Sequence, residues 1–182
     1  MRRFSDKANA RIVFRQGTKN ASYLLHLYAI FQEFVLTPPK WTKLDDKQKG
    51  KLRYSLSFTT LALPCFNELY ELFYTSTGKK IIPKNIADLI TPVSLAYWIM
   101  DDGSFSGSGL KLHTNAFSIE ELKLLVEVME NKFGLIVKIH IANRKKLQNI
   151  LYINKKQMPM VIELVKKYMH PSMLYKLNIK CE

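Results

Sequence analysis

Hydrophobic residues recur at helical spacing in some stretches of the chain and alternate with polar residues in the stretches between them. The helical spacing predicts helices over residues 22–35, 64–74, 92–103, 118–134 and 157–169. The alternation predicts strands over residues 11–16, 41–44, 51–60, 110–114, 136–142 and 150–153, with a turn or strand over 104–109.

The helix that begins at Pro92 ends in a pair of acids. Pro92 and Ser94 are typical of a helix start, and Gly103 is typical of a helix end. Asp101 and Asp102 would lie against the negative end of the helix dipole, at a cost of about 0.3–1 kcal/mol each. A bound divalent cation would remove this cost. A solvated acidic turn is the alternative, and these residues alone favour the solvated turn.

The pattern repeats after about 98 residues. In each half a strand is followed by a long helix, two strands, a shorter helix and a basic residue, which is Lys80 in the first half and Lys176 in the second. This repeat predicts half-domains over residues 1–90 and 91–182. A first copy of the paired acids would fall near the start of the chain, where no helix precedes it. Asp6 lies close to that place, but without a helix before it we assign it no role.

The chain carries a large positive charge. Lys and Arg number 28 and Asp and Glu number 15, which gives a formal net charge of +13. Such an excess indicates a polyanionic partner. No predicted helix combines a basic face with an apolar face, and no apolar run is long enough to span a bilayer, so we expect no membrane partner. Cys65 and Cys181 are too few for a disulfide framework or a zinc site.

The stretch from Leu95 to Gly103 reads L-A-Y-W-I-M-D-D-G and resembles the motif of the LAGLIDADG homing endonucleases. It is most similar to the branch whose second motif has two adjacent aspartates. Met100 and Asp101 stand where the family usually has an acid and a small residue. The resemblance extends over nearly all of the chain and includes T-P-P-K at 37–40, G-K-K-I-I-P-K-N at 78–85 and M-L-Y-K-L at 173–177.

This resemblance implies an α+β fold of pseudo-two-fold αββαββα halves, whose antiparallel sheets form a DNA-binding saddle, with the first motif helix absent. It implies an intron-encoded, site-specific endonuclease that hydrolyses phosphodiester bonds in double-stranded DNA with Mg²⁺. Asp102 matches the metal-binding acid of the family, and Asp101 does not. Lys80 and Lys176 match the basic residues that flank the active site, where a lysine polarises the attacking water or stabilises the transition state.

The polar faces of the predicted strands are the expected DNA contacts. Some residues would contact bases and others phosphates, and the sequence does not separate the two groups. The histidines on these faces are not at the spacing of metal ligands. The candidates for DNA binding are Arg11, Arg15, Arg53, Ser55, Ser57, Lys111, His113, Lys138, His140 and Arg144.

Two other functions remain open. An RNA maturase would use the same fold to bind its own intron RNA and assist splicing, with no need for hydrolysis. A catalytically inactive, truncated remnant would do neither. The Lys-, Asn- and Ile-rich composition fits an AT-rich organellar genome, and we favour the mitochondrion over the chloroplast.

The missing first motif helix has three explanations. The true start lies upstream, the chain associates with another copy or fragment that carries the helix, or the gene is truncated. We favour an upstream start or a truncation. A lone motif helix would leave an apolar face uncovered, so we expect this polypeptide alone to be poorly soluble or to self-associate.

Overall fold

The structure is a computed structural model that describes residues 1–5, 7–44, 53–143 and 148–179. The chain divides into two compact units, Met1–Tyr74 and Thr75–Glu182. The prediction of half-domains over residues 1–90 and 91–182 concerns the sequence repeat and stays a prediction.

Together with short 3-10 helices, the described residues of the first unit form three strands and two α-helices. These are β1 (Val13–Gly17), α1 (Ala21–Phe31), β2 (Lys40–Leu44), β3 (Arg53–Thr59) and α2 (Asn67–Phe73). The strands form an antiparallel sheet in the order β1-β3-β2. Its core is aromatic: the ring of Phe58 lies 4.7 Å from that of Phe14 and 5.4 Å from that of Tyr28. Before β1, the described residues contain no helix.

In the second unit, the part of the chain that the structure describes forms, besides further 3-10 helices, four strands and four α-helices. These are α3 (Ile86–Leu89), α4 (Pro92–Asp102), β4 (Gly103–Ser106), β5 (Gly109–Leu112), α5 (Ile119–Phe133), β6 (Val137–Asn143), β7 (Gln148–Asn154) and α6 (Met158–Val165). The strands form an antiparallel sheet in the order β4-β5-β7-β6. Leu110, Leu112, Leu151 and Ile153 are fully buried on one face of this sheet.

The two sheets share one topology. In the first unit a single bridge joins Arg2 to Arg11, just before β1, where the second unit has the full pairing of β4 with β5. With that bridge counted, both sheets follow the same strand order. This similarity agrees with the repeat expected from the sequence.

The predicted helix boundaries need local correction. The helix predicted over 157–169 is interrupted: α6 lies between 3-10 helices at Lys155–Gln157 and Lys166–Tyr168. The helix predicted over 22–35 ends at Phe31 and continues as a 3-10 turn, Gln32–Phe34. Among the described residues, every helix is too short or too polar to cross a membrane.

Candidate active site and nucleic-acid interface

Helix α4 is fixed at its start by a capping box. Thr91 is the N-cap residue, and its hydroxyl accepts a hydrogen bond of 3.2 Å from the amide of Ser94. The hydroxyl of Ser94 in turn accepts one of 2.7 Å from the amide of Thr91. The helix start predicted at Pro92 is therefore confirmed, but the cap is Thr91, and Ser94 completes the box from inside the helix.

The apolar face of α4 is covered within this chain. Leu95, Ala96, Ile99 and Met100 have no exposed surface, whereas Val93 is 42% exposed. We expected the apolar face of this helix to be uncovered, but these four residues are buried. Self-association stays a prediction.

The end of α4 presents two exposed carboxylates, those of Asp101 and Asp102. Strand β4 starts at the next residue, Gly103, whose amide donates to the carbonyl of Ile99. A Cβ atom on Gly103 would come closer than van der Waals contact to that same carbonyl oxygen. Only glycine fits this close to the Ile99 carbonyl. Its small size lets the chain turn from α4 directly into the sheet. The amide of His113, just beyond β5, donates a hydrogen bond of 3.0 Å to the carbonyl of Asp102.

Lys176 supplies the positive charge at this helix end. Its side chain is only 7% exposed, and it belongs to the 3-10 helix Pro171–Leu177. Its ammonium donates to the carbonyl of Met100 and, at 3.1 Å, to the carbonyl of Asp101. Burial lowers the pKa of Lys176, and the nearby carboxylates of Asp101 and Asp102 oppose that shift. A cation bonded to the last carbonyls offsets the dipole cost of placing acids there.

Lys80 has different surroundings. It is exposed, and it lies on the segment that leads to Pro83. This segment is tied to α5 because the amide of Ile82 donates a 2.9 Å hydrogen bond to the carboxylate of Glu121. The sequence repeat predicts that Lys80 and Lys176 are equivalent, but one side chain is exposed and the other is buried.

The carboxylates at the end of α4 suit a hard divalent cation. Within the described ranges, no group of three or more His, Cys, Asp and Glu side chains is arranged to hold a metal. Mg²⁺ needs only one or two protein carboxylates, because it keeps several waters and takes further oxygens from substrate phosphates. The exposed Asp102, with Asp101 beside it, therefore fits such an ion.

A line of polar side chains crosses the second sheet. Ser104 of β4 pairs with Lys111 of β5, Lys111 pairs with Tyr152 of β7, and Tyr152 pairs with Lys138 of β6. Directly paired residues lie on the same face of a sheet, opposite the buried leucines. Lys111 and Lys138, both candidates from the sequence, are thereby brought to one face.

Each of the two predicted histidines contacts a side chain that we did not predict. The ring nitrogen Nε2 of His113 lies 3.0 Å from the hydroxyl of Ser104. The imidazole of His140 stacks on the ring of Tyr152, with centroids 4.6 Å apart and planes 22° apart. Both histidines are exposed. The alternation of β7 was the signal that would have identified Tyr152 from the sequence.

The first sheet carries a similar line. Arg15 of β1 pairs with Ser57 of β3, and Ser57 pairs with Lys40 of β2, which we did not predict. Arg15, Lys40 and Arg53 are exposed, and Ser57 is half-buried.

Ser55 requires a correction. We expected it on an exposed polar face, but it is only 2% exposed, and its hydroxyl makes no hydrogen bond within the described part of the chain. Alternation along β3 predicts that Ser55 shares a face with Arg53 and Ser57. Alternation does not reveal which other parts of the chain cover a residue on that face. Burial does not support a role for Ser55 in DNA binding.

Arg11 is half-buried beside the bridge to Arg2. Its guanidinium lies 4.3 Å from the ring centre of Phe4, which is a cation–π contact. Three residues named above lie outside the described residues, namely Asp6, Arg144 and Cys181.

Comparison with known proteins decides the family. The model of the LAGLIDADG DNA endonuclease family matches residues 1–161. The chain belongs to this family. The predicted family and the α+β homing-endonuclease fold are therefore confirmed.

Two of the relatives that the chain is similar to have different kinds of name. The chain is 37% identical over 175 residues to "Cytochrome b mRNA maturase bI2" of Saccharomyces cerevisiae, covering 92% of this chain and 41% of that protein. It is 39% identical over 141 residues to "Intron-encoded endonuclease ai4" of Dictyostelium discoideum, covering 76% of this chain and 85% of that protein.

A solved structure has the same fold over the whole chain. The homing endonuclease I-WcaI, bound to its DNA recognition sequence, superposes with a TM-score of 0.86 at 28% identity. The superposition covers 100% of this chain and 80% of the I-WcaI chain. These relatives support the predicted class of function, that of an intron-encoded homing endonuclease.

Proposed function

We propose that this chain is a site-specific DNA endonuclease, encoded within an intron, which hydrolyses phosphodiester bonds in double-stranded DNA with Mg²⁺. The observation that carries the proposal is the exposed pair of carboxylates at the end of α4, continuous with a sheet face that bears Lys111, Lys138 and two histidines. The formal charge of +13 supports a polyanionic substrate.

Each residue at the end of α4 has a proposed role. Asp102 binds the cation, which would activate water and stabilise charge on the leaving oxygen. Lys176 donates hydrogen bonds to the carbonyls of Met100 and Asp101 and so holds the last turn of α4, with Asp102, in place. Its positive charge also flanks the site. Lys80, which is exposed, is the basic residue that contacts the scissile phosphate or the attacking water.

The sheet faces supply the proposed contacts to DNA. Lysine and arginine side chains on them contact phosphates, and the histidines and serines contact base edges in the major groove. The exposed candidates are Arg15, Lys40, Arg53, His113, Lys138 and His140. We place the protein in an organelle, and in the mitochondrion rather than the chloroplast, because one relative is a yeast protein named for cytochrome b mRNA.

Cleavage of the intronless target duplex tests this proposal. The substrate is the host-gene sequence with the intron removed, with Mg²⁺ and then with EDTA, and the protein is the chain and its D102N and D101N variants. We expect cleavage by the wild type that EDTA and D102N abolish. We expect D102N to retain DNA binding, because the lost charge does not contribute to phosphate contacts. Equal loss in D101N and D102N would contradict the assignment of the metal to Asp102.

The maturase is a second candidate, and the observation in its favour is the relative named as an mRNA maturase. A maturase would bind its own intron RNA without hydrolysing it. Splicing of that intron in vitro should then be accelerated equally by the wild type and by D102N. It should weaken when exposed basic residues are replaced by alanine. A D102N variant that neither cleaves DNA nor assists splicing would exclude this second function.

A further inference from the structure

The stacked pair of His140 and Tyr152 is built from two neighbouring strands of the second sheet. His140 lies on β6 and Tyr152 on β7, and their rings are nearly parallel, 22° apart. The imidazole is exposed and the tyrosine is half-buried beneath it. Tyr152 pairs with Lys111 on one side and with Lys138 on the other. Tyr152 therefore lies between two lysines on the proposed DNA face.

The hydroxyl of Tyr152 fixes this stack to the turn between β4 and β5. It donates a hydrogen bond to the carbonyl of Ser108, in the turn that joins the two strands. The same carbonyl accepts a second hydrogen bond, of 2.9 Å, from the amide of Lys155, which follows β7. The tyrosine ring is thus held by its own strand at one end and by the turn at the other.

The fixed ring of Tyr152 limits the conformations that the side chain of His140 can adopt. An exposed side chain occupies several rotamers, and ordering it at an interface has an entropic cost. Stacking on a fixed ring restricts the rotamers of His140 before any ligand binds. The nitrogens at the edge of its imidazole then point in a fixed direction and can donate to or accept from a base edge. The lysines on either side have the charge and the length to contact the flanking phosphates.

On the basis of the proposed function, we infer that Tyr152 is a specificity-determining positioning residue. It holds the imidazole of His140 in the one orientation in which that ring contacts a base edge in the major groove. His140 makes the contact, and Tyr152 acts through His140 without contacting the base itself. Lys138 contacts a phosphate and contributes affinity without base preference.

The base preferences of four variants test this inference. Bound duplexes are selected from a pool with randomised sequence, and the bound fraction is sequenced. The selection is done separately with the wild-type chain, H140A, Y152L and Y152F. K138A is the matched control, and far-ultraviolet circular dichroism confirms that each variant folds. In H140A and Y152L we expect the same one or two base pairs to lose discrimination, by roughly 5- to 50-fold. Y152F keeps the ring and loses the bond to Ser108, so we expect a loss of about threefold at those same base pairs. K138A should weaken binding to all sequences alike.

The outcomes separate this inference from the proposed function. If the wild type enriches no sequence, both are overturned. If the wild type enriches a sequence but H140A and Y152L change different base pairs, or Y152L weakens all sequences alike as K138A does, the role of Tyr152 alone is overturned. A Y152F profile identical to that of the wild type also overturns it. This result is decisive even if Y152L does not fold.

Discussion

Lys176 and Lys80 occupy corresponding places in the sequence repeat, but only Lys176 is buried against the end of α4. Replacing Lys176 by Met removes the donor for the carbonyls of Met100 and Asp101 and the charge that faces the two aspartates. We expect K176M to lower the free energy of unfolding by about 1–3 kcal/mol, because the two carbonyls lose their partner. Urea denaturation followed by circular dichroism measures this change.

The matched control for that change is K80M, since it removes the same charge from an exposed site. We expect it to alter the free energy of unfolding by no more than about 0.5 kcal/mol. Relief of the burial cost of the ammonium works in the opposite direction in K176M. A K176M variant that is as stable as the wild type would show that this burial cost cancels the stabilisation by the two hydrogen bonds.

Gly103 makes possible the abrupt passage from α4 into β4. A methyl group there would meet the carbonyl oxygen of Ile99 and come within 3.0 Å of the Cα of that residue. Both atoms belong to a buried helical turn, so α4 or β4 must shift. We expect G103A to cost about 1–3 kcal/mol of stability, which is the typical cost of overpacking. It should also abolish cleavage by displacing Asp102.

The control for this glycine is Gly17, where an added Cβ meets nothing within 4 Å and the backbone φ is −70°. G17A should leave both the melting temperature and cleavage close to wild type. Differential scanning calorimetry and the duplex cleavage assay, applied to both variants, check these expectations. Equal effects of the two substitutions would mean that flexibility of the chain, rather than close contact, explains the glycine in the motif.

At the scale of elements, Glu121 joins α5 to the segment that carries Lys80. Its carboxylate accepts hydrogen bonds of 2.6 Å from the amide of Ser118 and 2.9 Å from the amide of Ile82. Burial raises the pKa of Glu121, but these hydrogen bonds outweigh burial, so the pKa lies below its usual value of 4.5. A lower pKa in the folded state means that stabilisation is complete above the usual value and is lost as the pH falls through the folded-state pKa.

We therefore expect E121Q to be less stable than the wild type by about 0.5–2 kcal/mol at pH 7, as for the loss of a capping interaction. The difference should shrink as the pH falls from about 4.5 towards 3, because the wild-type carboxylate is then protonated as well. Urea denaturation at a series of pH values measures it. The exposed neighbour Glu120 gives the control: E120Q should show a smaller difference at every pH. A difference between E121Q and the wild type that does not change with pH would contradict this account.

The elements that the sequence predicts well are those with local signals at both ends. The Ser118–Glu121 capping box and Gly134 predict α5, and the structure confirms both. The breaks in the helix predicted over 157–169 have no comparable signal, because the apolar spacing continues through α6 into the 3-10 turns. The strands of the second sheet follow from alternation, since Leu110, Leu112, Leu151 and Ile153 are buried on one of its faces.

The chemistry of the site was less predictable than its location. The motif resemblance places Asp102 at the end of α4, where the structure has it exposed. The burial of Lys176 could not be predicted, because lysines are rarely buried and its partners are backbone atoms more than 70 residues away. The stack of His140 on Tyr152 depends on the pairing of β6 with β7, which spacing along either strand alone does not reveal.

At the scale of the whole molecule, the positive charge is distributed over both sheets. Arg15 and Lys40 lie on one line of the first sheet, and Lys111 and Lys138 lie on one line of the second. The two sheets belong to separate compact units with the same strand order. If both sheets contact DNA phosphates, each contributes its own share of counterion release.

The salt dependence of DNA binding tests whether both sheets contribute. R15A removes an exposed charge from the first sheet and K138A removes one from the second. We expect each to reduce the slope of log K against log salt concentration by about 1, since each phosphate contact releases about one counterion. Because the two residues lie in separate units and do not share a hydrogen-bonded pair in the described sheets, their effects should add, giving a reduction of about 2 in the double variant. Fluorescence anisotropy of a labelled duplex between about 50 and 200 mM KCl measures the slopes. A double variant with the slope of one single variant would show that only one sheet contacts the DNA.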